Sequence, residues 1–135
     1  MNDCSDCLED VLRVVAQEGR GQLRGSFHSY TGDIDSLKEV LDMGFYIGFN
    51  GIITYKSGEN VRDILKQVPL EKILFETDGP FLPPQSVRKN KKLEEKYAQP
   101  KDIKEIIETA CEIKNVSYEK METITDENYE RLFVL

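Results

Sequence analysis

The chain has 135 residues, is 39% apolar and 32% charged, and carries a formal net charge of −7. That length suits one ordinary domain, able to bury about two-thirds of its unfolded surface around a single core, and no apolar run approaches the roughly 20 residues a membrane-spanning helix needs. The acidic balance repels phosphate backbones, so nucleic-acid binding would require a local basic patch or bound cations. The opening Met1-Asn2-Asp3-Cys4 has neither a basic nor an apolar stretch, so no secretory signal is expected. Three cysteines, an odd number, fit a reducing cytoplasm rather than a disulfide scaffold. Cys4 and Cys7 form a C-x-x-C with no second pair. They read as two helix-face cysteines rather than a zinc or redox pair.

Residues 6–18 read as an amphipathic helix, because Leu8, Val11, Leu12 and Val15 recur at helical spacing and Gly19 and Gly21 end the pattern. Residues 25–30 predict a short buried strand, and Thr31-Gly32-Asp33 a turn. A second helix is expected over 34–43, with Leu37, Val40 and Leu41 on one face and Gly44 as its stop. Residues 45–49 are aromatic and β-branched, hence a second strand; Asn50-Gly51 breaks it before Ile52-Ile53-Thr54-Tyr55. A third helix follows at 58–67 through Val61, Ile64 and Leu65, closed by Pro69. Residues 72–78 form a third strand that ends on the carboxylate of Asp78. Beyond it, Gly79-Pro80 and Pro83-Pro84 exclude a regular element, and 85–100 reads as a polar loop with a basic cluster at Arg88, Lys89, Lys91 and Lys92. A helix over 101–114 is built on Ile103, Ile106, Ile107, Ala110 and Ile113. The chain finishes in two short helical segments around 117–124 and 126–133, the first capped by Ser117.

Strands alternating with helices of about ten residues predict an α/β chain of βαβ units with a parallel sheet and right-handed crossovers. Three strands are too few for a complete fold of this kind. A (β/α)₈ barrel takes roughly 250 residues and eight strands. The chain therefore reads as part of a larger unit, or as one that needs a partner. In such folds functional side chains stand at the C-terminal ends of strands. His28 and Asp78 both fit that position, and together could bind a divalent metal or act as a proton-transfer pair. The plain structural alternative is a histidine bonded to backbone and an aspartate serving a turn or cap.

Phe27-His28-Ser29-Tyr30-Thr31-Gly32, then residues 41–51 (LDMGFYIGFNG), then Leu74-Phe75-Glu76-Thr77-Asp78-Gly79-Pro80-Phe81-Leu82 follow in that order, and Thr125-x-x-Asn128-x-x-Arg131-Leu132-Phe133 closes the chain. Together they resemble the TatD family of metal-dependent deoxyribonucleases, of the amidohydrolase superfamily of (β/α)₈ barrels. The similarity runs over nearly the whole chain from Asp6. It implies that residues 1–135 are the C-terminal part of such a barrel, holding its sixth, seventh and eighth strands.

The resemblance further implies that His28 is a metal ligand or a close neighbour of the metal pair. Asp78 would bind metal and help activate the attacking water, and Glu76 would orient a ligand rather than be one. Thr31 and Gly32 match the loop after the sixth strand, and Thr31 is a candidate substrate-binding residue there. The implied cofactors are divalent ions, Mg²⁺, Mn²⁺ or Zn²⁺, two per intact barrel, and the implied substrate is DNA. Paired cations stabilise both the attacking and the leaving oxygen of a phosphodiester. The family's His-x-His on the first strand has no counterpart, since His28 is the only histidine. The glutamate and histidine ligands of the fourth and fifth strands are also missing, so the metal site is expected to be incomplete. After Pro83-Pro84 the family's short Arg-Gly-Lys-x-Asn segment is replaced by Arg88-Lys89-Asn90-Lys91-Lys92. Arg88 is the candidate phosphate contact by its planar donor fork, against a merely solvated basic loop. Tyr30 and Phe81 are candidate substrate-wall residues. The alternative function is a catalytically inactive subunit or remnant that acts only by assembly. Raw sheet edges point to a homo-oligomer, or to a separate chain carrying the N-terminal barrel half.

Overall fold

The computed structural model describes residues 5–19 and 21–134. Cys4 of the C-x-x-C lies outside the described residues, whereas Cys7 is exposed on the first helix, α1 (Ser5–Gly19). The periodic segments form the expected elements. The first strand, β1 (Ser26–Phe27), leads into α2 (Ile34–Asp42), which starts where the Asp33 carboxylate accepts from Ser36 N–H at 2.7 Å. After α2 the chain turns through Gly44 at φ 86°, a left-handed conformation that suits glycine. Then come β2 (Tyr46–Phe49), α3 (Glu59–Gln67) and β3 (Ile73–Phe75).

The three strands are parallel and lie in the order β1-β2-β3. Phe27 sits opposite Ile47, and Gly48 and Phe49 sit opposite Leu74 and Phe75. All four residues of β2 are buried, as befits a central strand covered on both faces. Phe49, Ile47, Ile53, Ile64, Leu65, Ile73, Ile106 and Met121 are fully buried at the junction of the sheet with α3 and the C-terminal helices. Removing one such side chain from water stabilises the fold by about 1.5–3 kcal/mol.

Four expectations change. β1 is only two residues long, because Ser29 adopts φ 51° and turns the chain out of the sheet. β3, expected over 72–78, ends at Phe75, so Asp78 stands three residues past the strand rather than at its last position. Residues 51–54 form a 3-10 turn, which the Asn50 side chain caps by accepting from Ile52 N–H at 3.1 Å. The expected loop holds a short helix, α4 (Gln85–Lys89), tied to that turn by Gln85 N–H donating to Thr54 Oγ1 at 2.8 Å.

After α5 (Ile103–Lys114), the two expected terminal segments are one continuous helix, α6 (Tyr118–Phe133), capped as expected by Ser117. Thr125, at the anticipated break, lies within the helix, with its hydroxyl satisfied on Met121 O at 2.9 Å. Asn128, wholly buried on α6, donates Nδ2 to the carbonyls of Leu70 and Ile73 at 2.8 and 2.9 Å and so clamps the helix to the start of β3. Among the described residues no helix is long and apolar enough to cross a membrane.

Candidate functional site

The parallel register puts the residues that follow β1 and β3 on the same edge of the sheet, on either side of β2. Glu76, just past β3, donates its backbone N–H to Phe49 O at 3.0 Å. Its side chain then reaches across β2 to the chain leaving β1. Oε1 accepts from Ser29 N–H at 2.7 Å, and Oε2 lies 2.5 Å from His28 Nδ1. On the other side of the ring, His28 Nε2 lies 3.1 Å from Asp78 Oδ1. The structure therefore brings His28, Glu76 and Asp78 together, with His28 and Asp78 opening on one edge as the strand pattern requires.

Two further residues make this crossing possible. A Cβ on Gly48 would stand 2.8 Å from Glu76 Oε2, so the carboxylate occupies the space that a side chain on β2 would fill. Asn50, 2% exposed, donates Nδ2 to Ser29 Oγ at 2.6 Å. Ser29 and Asp78 have φ of 51° and 56°, an uncommon conformation for residues with a side chain. Gly48, Ser29 and Asn50 were not among the residues expected from sequence. A glycine inside a strand is the one signal that pointed there, since it often marks a close approach.

The His28 ring is 59% exposed, while Glu76 and Asp78 are 23% and 27% exposed. The hydrogen bond to Glu76 is the main cause that raises the His28 pKa above 6.5; partial burial opposes it, and the charges of Glu76 and Asp78 add to the rise. A neutral imidazole has one N–H. If that hydrogen is on Nδ1, facing Glu76, the Nε2 lone pair faces a carboxylate oxygen only 3.1 Å away. Two acceptors at that distance repel unless a cation, either a proton or a metal ion, lies between them.

Of the other expected site residues, Tyr30 turns away from the site. Tyr30, expected at a substrate wall, is 4% exposed and belongs to the core. Its hydroxyl donates to Asp33 O at 3.0 Å, and burial pushes its pKa up to about 12. It sits beside His28 in sequence but its ring turns inward against Phe27. Thr31 is exposed, as is Phe81 at 68%. Arg88 is exposed on α4, with its guanidinium 4.2 Å over the Tyr55 ring.

A family model described as TatD related DNase matches residues 4–134. The chain belongs to this family. It is 34% identical over 128 residues to the uncharacterized metal-dependent hydrolase YabD of Bacillus subtilis (strain 168), covering 95% of this chain and 48% of that protein. The same identity holds against the uncharacterized metal-dependent hydrolase YcfH of Escherichia coli (strain K12), over 95% of this chain and 46% of that protein. The crystal structure of YJJV, a TatD homolog from Escherichia coli K12, superposes with a TM-score of 0.82 at 20% identity, covering 95% of this chain and 47% of that one. The TatD-family chain thus spans about half the length of the curated relatives it matches, and has the fold of part of their barrel.

The TatD family implies a divalent metal, and the donors present at this edge are of the right kind for one. Imidazole nitrogen and carboxylate oxygen are both ordinary ligands of a divalent ion, and a 3.1 Å separation suits two donors each about 2.1 Å from one ion. The Glu76 carboxylate behind Nδ1 is the partner that a metal-bound histidine usually has. The donor set therefore fits in kind. Among the described residues, no group of three or more His, Cys, Asp and Glu is arranged to hold a metal ion.

Proposed function

We propose that this chain supplies one side of the metal centre of a TatD-type hydrolase that cleaves phosphodiester bonds in DNA. The observation that carries the reading is the alignment of Glu76, His28 and Asp78, with one ring nitrogen held by a carboxylate and the other facing an oxygen across 3.1 Å. In this reading His28 Nε2 and Asp78 Oδ1 hold the cation, and Glu76 keeps the hydrogen on Nδ1 so that the Nε2 lone pair stays available. A bound Mg²⁺, Mn²⁺ or Zn²⁺ supplies Lewis-acid polarisation of the phosphate and lowers the pKa of water; an intact barrel would hold two. The carboxylate oxygen of Asp78 not engaged by His28 is the acceptor for the proton of the attacking water. Thr31 and Arg88 are assigned to phosphate contacts, and Phe81 to the substrate wall.

The remaining donors come from barrel strands outside this sequence, in the same polypeptide or a complementary chain. A second reading, an inactive subunit that acts only by assembly, is favoured by the two donors that face the gap. Calorimetric titration with Mn²⁺ or Zn²⁺, run beside hydrolysis of a fluorogenic DNA, separates these. The hydrolase reading expects weak binding and slow cleavage, both lost in His28→Ala and Asp78→Asn. Metal binding or cleavage indifferent to those substitutions would refute it. Weak binding without any cleavage, even when the complementary barrel half is supplied, would favour the second reading.

A further inference from the structure

Asn50 and Ser29 form a connected path behind the candidate metal centre. The Asn50 amide is 2% exposed and uses both ends. Its oxygen caps the 3-10 turn through Ile52 N–H at 3.1 Å, and its nitrogen donates to Ser29 Oγ at 2.6 Å. The second bond lies outside the needs of the cap. It ties down a residue held at φ 51°, a region that any side chain other than that of glycine, and to a lesser extent asparagine and aspartate, resists. In that conformation Ser29 N–H meets Glu76 Oε1 at 2.7 Å, while Glu76 Oε2 faces His28 Nδ1 at 2.5 Å.

We infer that Asn50 and Ser29 are positioning residues: their side-chain bond holds the Ser29 backbone left-handed, which aims its N–H at Glu76 and thereby sets which nitrogen of His28 carries the hydrogen. Without the bond, residue 29 relaxes to negative φ and its N–H swings off Oε1. Glu76 then keeps one anchor in place of two and turns away from Nδ1. The inference deepens the metal-centre reading and rests on it for its purpose, but its physical content is a hydrogen-bond path that exists without metal.

The test uses the full chain, metal-free, with ¹⁵N-labelled histidine. His28 is the only histidine, so its two ring nitrogens are read without assignment ambiguity. Long-range ¹H–¹⁵N spectra are recorded well above the measured midpoint of the ring, where the neutral tautomers are distinguished. The wild-type chain is expected in the Nδ1–H form. Asn50→Ser keeps a good helix cap but cannot reach Ser29. Ser29→Ala and Ser29→Gly both delete the hydroxyl, and only glycine accepts φ 51° without the tether. Asn50→Ser and Ser29→Ala should shift the tautomer ratio at least tenfold toward Nε2–H, whereas Ser29→Gly, which deprives the buried Asn50 Nδ2 of the same partner as Ser29→Ala does, should keep the wild-type ratio. Adding Ser29→Gly to Asn50→Ser should restore it.

A wild-type ratio in both Asn50→Ser and Ser29→Ala would overturn the inference. So would an equal shift in Ser29→Gly, because the hydroxyl itself would then matter rather than the backbone it holds. If Asn50→Ser fails to fold, the Ser29→Ala and Ser29→Gly pair decides alone. Failure of Mn²⁺ titration in the wild-type chain would count against the metal reading while leaving this result intact.

Discussion

Gly48→Ala separates the fold from the site, because the added methyl would meet the end of a flexible side chain rather than the sheet. The new Cβ would stand 2.8 Å from Glu76 Oε2 and 3.2 Å from Cδ, with the Phe27 carbonyl at 3.3 Å. Ordinary contact begins near 3.4 Å, so the carboxylate must withdraw by about 0.6 Å, while the β2 backbone can stay in register. Alanine in a strand interior recovers roughly 0.5–1 kcal/mol relative to glycine, which offsets the tight contact with Phe27. The 2.5 Å approach to His28 Nδ1 lengthens to about 3 Å or breaks, and the ring loses the partner that holds it. Losing such a partner typically costs tenfold to a hundredfold in metal affinity.

Three measurements check this together. Circular dichroism should give a thermal midpoint within a few degrees of wild type. The C2 proton of His28 should titrate closer to 6.5 than in the wild-type chain, since the main cause of its raised pKa is the Glu76 hydrogen bond. Mn²⁺ binding should weaken at least tenfold. A variant that folds normally and keeps both the wild-type titration and the wild-type metal affinity would show that Glu76 does not depend on the space over Gly48.

Glu76→Gln should impair metal binding more than Glu76→Ala, although it is closer in shape: Ser29 N–H claims the amide oxygen, the NH₂ is left facing Nδ1, and His28 is driven to carry its hydrogen on Nε2 against Asp78. Titration calorimetry of the two variants with Mn²⁺ ranks them, and a reversed order defeats the tautomer assignment. In the metal-free chain the raised His28 pKa contributes stability fully present below pH 6.5 and lost as pH rises through the folded-state midpoint; the ring is 59% exposed, so the contribution is small. Proton NMR of the single histidine locates the midpoint, which should fall on adding Mg²⁺ because metal and proton compete for Nε2. Asn128→Ala should destabilise the chain by about 1–3 kcal/mol in urea unfolding, since it removes the buried bond to the Ile73 carbonyl while Leu70 O keeps the Ile73 N–H, and should leave the His28 spectrum unchanged. Asn128→Asp should be worse at neutral pH, as a carboxylate would face those same two oxygens.

Patterns of a few residues were enough to reveal α1, α2, α3 and α5, the three parallel strands, and the placing of His28 and Asp78 on one edge of the sheet, although Asp78 lies three residues beyond the end of β3. Helical spacing and strand-end position are local properties, and the motifs that carry the TatD resemblance are local too. The same locality misled at Thr125, where two segments were expected and one helix runs through, clamped by Asn128 to the start of β3. It misled again at Tyr30, because nearness to His28 in sequence does not say to which side a ring turns. Glu76 reaches back 47 residues to Ser29 N–H and 48 to His28, across a strand where Gly48 leaves the space that its carboxylate occupies. Which side chains meet there depends on strand register and on a left-handed backbone at Ser29, and both are decided only when β1, β2 and β3 are packed side by side.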